Sequence, residues 1–172
     1  WNHGRQLKMS RDEIKREMFE SEGRPEVKAK RRQRVMELSR GRMLEAVASA
    51  DVVITNPTHF AVALRYDATR MASPEVVAKG ADEVAAAIRE RAVQHAVLRV
   101  ESPRLARALF RSTEVGRAVP PELFTAVAQI LAWAYRIKAG AHDPAPVPEV
   151  PEPLGEGLET RWAGVGPSSV AP

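Results

Sequence analysis

The chain contains no cysteine, few aromatic residues and no long apolar run. Aromatic residues make up 5% of its 172 residues. Without cysteine there is neither a disulfide framework nor thiol chemistry, and a reducing compartment is permitted. No run reaches the roughly 18 apolar residues that a membrane span requires, and no signal peptide is recognisable. Because the sequence starts at Trp1 rather than at methionine, we expect a fragment of a longer protein.

The hydrophobic and charged residues that are present suffice for one ordinary domain with a core. They make up 44% and 28% of the chain, and the net charge is +4 with a pI near 9.8. Much of the positive charge lies in a predicted helix from Glu26 to about Ala48. This helix is interpreted either as a solvated face or as a surface attracted to anionic lipid headgroups or an acidic partner. Binding to DNA is less favoured, because no aromatic residues interleave the charges. The basic residues concerned are Lys28, Lys30, Arg31, Arg32, Arg34, Arg40 and Arg42.

The remaining pattern alternates strands and helices. Ser10 and Glu13 form a capping-box pattern for a first helix, which Gly23 and Pro25 end. Apolar runs predict two strands, 51–55 and 60–66, both central in a sheet, which need not pair directly. The next predicted elements are an extended piece at 75–79 ended by Gly80, a helix over 81–94 and a strand over 95–100. They are followed by a helix that is capped by Ser102 and runs to about Thr113, and by a strand or loop at 115–119. A last helix is predicted to begin at Pro120, with buried side chains at Leu123, Val127, Ile130, Leu131 and Ala134.

This alternation predicts an α/β fold: a small central mixed sheet surrounded by about four helices. The sheet domain is assigned to residues 49–139, and residues 1–48 are interpreted as a basic, membrane-proximal helical linker. From Gly140 the composition shifts to proline, glutamate and glycine with few large apolar residues. Residues 140–172 are therefore predicted to be a disordered tail of polyproline II character. Trp162 is the one large aromatic residue in that tail.

A polar Asn56-Pro57 step separates the two central strands. The usual asparagine side reaction needs the next residue's backbone N–H, which proline lacks, so that route is closed. The other route is open: the Asn56 side-chain amide can attack its own main-chain carbonyl, close a succinimide and expel the nitrogen of Pro57. A turn that fixes this geometry can lower the barrier by up to roughly 7–11 kcal/mol, and strain adds to the effect.

Two neighbouring side chains are candidates to assist. Thr58 could hydrogen-bond the turn, and His59 could take the amide proton or protonate the leaving nitrogen. The plainer reading is an Asn-Pro turn with His59 hydrogen-bonded at the edge of the core. The other histidines are scattered and have no carboxylate or second histidine at metal-ligand spacing, so neither metal nor cofactor is expected. They are His3, His95 and His142.

Asn56-Pro57-Thr58-His59 resembles the NPTH signature of the FlhB family of flagellar and injectisome export switch proteins. In that family the signature lies in the cytoplasmic domain. The resemblance covers roughly residues 1–139, and Tyr66-Asp67 and Ala78-Lys79-Gly80 look more like the flagellar branch. The tail is not covered. Further segments that resemble the family are Met9–Lys15, Glu22–Lys28, Ala50–Thr55, Val76–Gly80, Leu105–Leu109 and Ala128–Trp133.

The resemblance implies a type III export component that cleaves itself once per chain between Asn56 and Pro57, rather than a turnover enzyme. It implies that both fragments stay associated, and that the domain helps switch export from rod and hook to filament substrates. The implied partners are export-gate proteins, a hook-length ruler protein and exported flagellar substrates. The implied location is the cytoplasmic face of the inner membrane, through an N-terminal transmembrane domain outside this sequence.

Two other hypotheses compete with this one. A non-cleaving scaffold could use the same fold to bind export substrates or gate components. A nucleic-acid-binding module is motivated only by the basic run, and no base-reading element accompanies that charge.

Overall fold

The computed structural model describes residues 11–152, and its strands and helices alternate as the sequence predicts. Ser10, the predicted cap of the first helix, lies outside the described residues. Short 3-10 turns precede the first strand and the last helix, at Val47–Ser49 and Pro121–Leu123. The elements are α1 (Arg11–Glu22), α2 (Pro25–Ala46), β1 (Val52–Asn56), β2 (Phe60–Arg65), β3 (Glu75–Ala81), α3 (Asp82–Gln94), β4 (Leu98–Glu101), α4 (Pro103–Ser112) and α5 (Phe124–Lys138).

The chain divides into two compact units, Trp1–Gly41 and Arg42–Pro172. In the first unit, the described part consists of α1 and most of α2. No residue of α2 is buried, so its basic side chains lie in solvent, as a solvated face requires. Among the described helices, none is long and apolar enough to cross a membrane.

The second unit is built on a four-stranded sheet in the order β3-β2-β1-β4. β1 pairs antiparallel with β2 and parallel with β4, so the sheet is mixed, as predicted. The two strands that flank the Asn-Pro step are both central, which was also predicted. They pair directly as a hairpin, with Asn56 opposite Phe60.

Both faces of this sheet are covered by helices. Val52 and Ile54 point to the same cluster as the buried side chains of α4 and α5, whereas Val53 lies in a second cluster with Ile88 of α3. Val52, Val53, Ile54 and Ile88 are fully buried. Because successive side chains in a strand point to opposite faces, a strand covered on both faces reads as a continuous apolar run.

Two strand boundaries and one helix cap differ from the predictions. β3 continues through Gly80 to Ala81, because Gly80 serves close packing rather than a turn: a Cβ there would lie 2.4 Å from Val84 Cγ1. β4 begins at Leu98 rather than at His95, since the His95 backbone N–H caps α3 and Ala96 turns the chain with a φ of 53°. The Ser102 hydroxyl makes no capping bond to α4, although α4 does begin at Pro103.

The remaining connections carry little regular structure. Residues 115–119 form a loop with a single bridge between Glu75 and Ala118. Residues 140–152 of the predicted tail contain neither helix nor strand, yet Val150 is buried in the core cluster of α4 and α5. The rest of the tail, including Trp162, lies outside the described residues.

Candidate functional site

The four residues singled out in the sequence form one tight turn between β1 and β2. Asn56 ends β1, and Phe60 begins β2. The backbone N–H of His59 donates a hydrogen bond to the carbonyl oxygen of Asn56 over 3.1 Å. Proline at the second position and a positive φ of 68° at Thr58 in the third are the features of a type II β-turn.

Thr58 is strained at this position. Type II turns favour glycine in third place, and a β-branched residue with positive φ is an outlier. The left-handed conformation costs a non-glycine residue roughly 1–2 kcal/mol. The predicted hydrogen bond of its hydroxyl is not found: Thr58 is exposed, and among residues 11–152 its side chain has no hydrogen-bond partner. Thr58 therefore affects the turn through its backbone conformation.

The strand before the turn is fixed on two sides. β1 is hydrogen-bonded to β2 on one edge and to β4 on the other. Immediately before the site, the Thr55 carbonyl accepts a bond from the Ser102 backbone N–H over 2.9 Å, and Thr55 Oγ1 donates to the Val100 carbonyl over 3.3 Å. Thr55 is buried. Asn56 is therefore attached to a rigid support while its own position is only half buried.

The strand after the turn is fixed by an aromatic contact. Phe60 is buried and its ring lies 4.6 Å, centroid to centroid, from that of Phe110 in α4. Lys79 holds this end of α4, because its Nζ donates to the Phe110 carbonyl and to Glu114, each over 3.0 Å. The same Nζ lies 5.3 Å from the centre of the Phe110 ring, within the range of a cation–π attraction.

Asp82 is a contributor that the sequence analysis missed. Its backbone N–H donates to the His59 carbonyl over 2.9 Å, which ties the far side of the turn to the start of α3. Its Oδ1 lies 3.9 Å from His59 Nδ1, but both side chains are more than half exposed, so any ion pair contributes at most about 1 kcal/mol. Asp82 itself has a positive φ of 46°. In the sequence, Gly80 was the residue that could have indicated this contact, because glycine permits two backbone segments to approach closely.

This geometry suits a reaction at the Asn56 carbonyl. If the Asn56 amide attacked that carbon, negative charge would develop on the oxygen that already accepts the His59 backbone N–H. A donor placed in advance where charge develops lowers a barrier. The leaving nitrogen would belong to Pro57, which is exposed.

Metal chemistry has no support in the described part of the chain. Residues 11–152 hold no group of three or more histidines, cysteines or carboxylates that could bind an ion. His95 is exposed at the end of α3 and His142 lies after α5, while His3 is outside the described residues.

Known proteins match this chain over most of its length. The family model described as "FlhB HrpN YscU SpaS Family" matches residues 1–134. The flagellar biosynthetic protein FlhB of Salmonella typhimurium is 48% identical over 161 residues, which cover 90% of this chain and 42% of that protein. The same protein of Yersinia enterocolitica is 46% identical over 160 residues, covering 92% and 42%. The chain therefore spans less than half the length of these relatives.

Solved structures agree with the sequence relatives. The crystal structure of the cytoplasmic domain of FlhB from Shewanella putrefaciens is 40% identical with a TM-score of 0.62, covering 68% of this chain and 95% of that one. An EscU C-terminal domain with an asparagine-to-aspartate mutation is 27% identical with a TM-score of 0.52, covering 54% and 98%. The family match, the relatives and the shared α/β fold together show that the chain belongs to the FlhB, HrpN, YscU and SpaS family.

Proposed function

We propose that this chain is part of a flagellar type III export component and that it cleaves its own backbone between Asn56 and Pro57. One observation carries the proposal. The Asn56 carbonyl oxygen, where charge would develop, accepts the His59 backbone N–H in a turn strained at Thr58. Family membership supplies the flagellar context, since the matched relatives are named flagellar biosynthetic proteins.

The proposed reaction is a single intramolecular acyl transfer. Asn56 Nδ2 attacks the Asn56 main-chain carbonyl carbon, a C–N bond closes the succinimide, and the bond to the Pro57 nitrogen breaks. One proton leaves Nδ2 and one arrives on the Pro57 nitrogen, which becomes a new N-terminus. His59 is the side chain proposed to move this proton, directly or through water. Water then opens the succinimide.

The two fragments are proposed to stay together after cleavage. β1 would end the N-terminal fragment, while its neighbours β2 and β4 belong to the C-terminal one. Val52, Val53 and Ile54 are fully buried between the two helical layers. Burying a side chain of this size contributes about 1.5–3 kcal/mol. The central strand is therefore held by both ladders and by both core clusters.

The proposed biological role is to help switch export from rod and hook substrates to filament substrates. The proposed partners are export-gate proteins, a hook-length ruler protein and the exported substrates. On this proposal the domain lies at the cytoplasmic face of the bacterial inner membrane, joined to an N-terminal transmembrane domain. The exposed basic helix α2 fits a place near anionic headgroups, because exposed lysine and arginine are attracted to such surfaces.

The alternative function is a scaffold that binds export substrates or gate components without cleaving. An apolar cavity of about 340 Å³ favours some binding role. It is lined by residues of the β2–β3 loop and α5, among them Tyr66, Pro74, Phe124, Leu131 and Tyr135. Unimpaired export switching in a strain carrying Asn56→Ala would favour the scaffold.

Denaturing electrophoresis tests the cleavage directly. Purified wild-type protein should separate into fragments 1–56 and 57–172, whereas Asn56→Ala should run as one chain because no amide remains to attack. Sequencing the larger fragment from its N-terminus should begin at Pro57. Circular dichroism should show the same fold in both proteins. An intact wild-type band after long incubation at neutral pH would disprove the proposal.

A further inference from the structure

The first part of the tail lies against the domain through two buried residues, Pro148 and Val150. Val150 is 5% exposed and belongs to the core cluster that contains buried side chains of α4 and α5. Val147, three residues earlier, is 95% exposed. Of the two valines in this segment, only Val150 is therefore buried. This is expected for a specific packing site, called here the seat of Val150, rather than for non-specific contact of the tail with the domain.

Polar contacts hold the beginning of this segment to α5. The indole N–H of Trp133 donates to the Asp143 carbonyl over 3.0 Å, and Arg136 Nε donates to Asp143 Oδ2 over 3.0 Å. Trp133 is 8% exposed, and a buried indole N–H is costly to leave without an acceptor. Asp143 thus provides a carbonyl acceptor for the buried indole N–H of Trp133 and a carboxylate for the exposed guanidinium of Arg136.

A third contact holds the other end of the segment to α4, where Glu152 forms an ion pair with Arg104. The anchors therefore run from the last turns of α5 to the first turn of α4. The prolines between them restrict the unbound chain, which reduces the entropy lost when the segment is ordered. These prolines are Pro144, Pro146, Pro148 and Pro151.

We propose that residues 141–152 are a strap that occupies a peptide-binding surface on α4 and α5. The surface is matched to an acidic, proline-rich peptide whose buried residues are Pro148 and Val150, and the chain's own tail is its occupant. Arg136 and Arg104 pair with Asp143 and Glu152 at the two ends of the segment, and Val150 lies between these two acidic residues in the sequence. Opening the strap uncovers this seat and the Trp133 indole. The inference does not depend on self-cleavage.

A matched pair of valine substitutions tests the strap. Val150→Asp and Val147→Asp are made in the full chain carrying Asn56→Ala, so that cleavage plays no part. Hydrogen exchange of the Trp133 indole N–H is followed by NMR, with the resonance assigned from Trp133→Phe. Val150→Asp should accelerate this exchange by about tenfold or more, since it removes a buried apolar anchor. Val147→Asp should change it by less than about twofold, as for a fully exposed site.

Adding the strap in trans distinguishes an opened strap from a damaged core. A synthetic peptide of residues 141–152 should bind the Val150→Asp protein and restore slow exchange at Trp133. The same peptide carrying Val150→Asp should do neither. Equal exchange in the two valine variants, or a wild-type peptide that leaves the Trp133 resonance of the Val150→Asp protein unchanged, would overturn the inference.

Discussion

The two turns that flank β2 reverse the chain in different ways. The β1–β2 turn is short, holds Thr58 at a φ of 68°, and depends on a hydrogen bond from Asp82, which is distant in sequence. The β2–β3 connection, residues 66–74, is longer. Its ends bond to other segments, at Tyr66 and at Pro74, whereas its centre is held by local side-chain bonds. Asp67 Oδ1 accepts the Thr69 backbone N–H over 2.9 Å and its hydroxyl over 2.7 Å.

This difference shows where strain can persist. The centre of the β2–β3 connection is stabilised by local side-chain bonds, and no residue of 66–74 has a positive φ. A turn clamped by two ladders and a third segment can keep an unfavourable φ, since the surrounding structure over-determines it. Of the two, only the clamped turn contains the asparagine and proline that the proposed chemistry needs.

Replacing His59 tests the chemistry of the clamped turn without altering its clamps. We expect His59→Ala to slow cleavage by about a hundredfold, the low end of what a proton-transfer group contributes. The His59 backbone N–H, which bonds the Asn56 carbonyl, remains, so cleavage should not be abolished. Densitometry of fragments over time gives the rate. An unchanged rate would remove the side chain from the mechanism.

Gly80→Ala tests the third segment that clamps the turn. The added Cβ would approach Val84 Cγ1 to 2.4 Å, and relieving such overpacking costs about 1–3 kcal/mol. Because β3 leads directly to Asp82, we expect slower cleavage together with a lower free energy of unfolding. Denaturant titration in the Asn56→Ala background measures the stability. Gly41→Ala is the control for an added methyl group, since a Cβ there meets nothing within 4 Å.

Thr58→Gly separates strain from fold stability. Glycine relieves about 1–2 kcal/mol of left-handed strain and loses about 0.5–1 kcal/mol through extra unfolded-state entropy. We therefore expect a protein that is slightly more stable and yet cleaves more slowly. Thr58→Ala keeps a Cβ in the left-handed conformation and removes the hydroxyl and the γ-methyl group, so its cleavage rate should stay close to wild type. Faster cleavage in Thr58→Gly would show that strain does not assist the reaction.

Asp67→Ala tests the unstrained turn and should have the smallest effect. The Thr69 hydroxyl, followed by its backbone N–H, lowers the pKa of Asp67 below its ordinary value. A carboxyl whose pKa is lowered on folding stabilises the protein above its unfolded pKa, and this contribution is lost as pH falls through the folded value. The melting temperature of the wild type should thus be slightly higher than that of Asp67→Ala at pH 7. This difference should disappear as the pH falls through the folded-state pKa of Asp67. Cleavage rates of the two proteins should agree.

The sequence predicted the α/β class, the mixed sheet and the central position of both strands, because covered strands read as apolar runs. It also predicted that the four turn residues lie together, since they are consecutive. It placed two boundaries wrongly, at Gly80 and His95. Glycine ends a strand in many turns, whereas here Gly80 makes room for Val84. The predicted capping bond of Ser102 was wrong as well.

By itself, the sequence determined the chemistry that is possible at the Asn56-Pro57 step. The missing N–H of proline closes one reaction of asparagine and leaves the other open, whatever the fold. The tertiary structure decided the rest. Strand pairing, Ser102 and Asp82 act on the turn through backbone bonds that no local pattern records. The burial of Val150 could not be predicted for the same reason. A single valine in a proline-rich segment becomes part of the core only when the tertiary fold brings that segment against the cluster that contains α4 and α5 side chains.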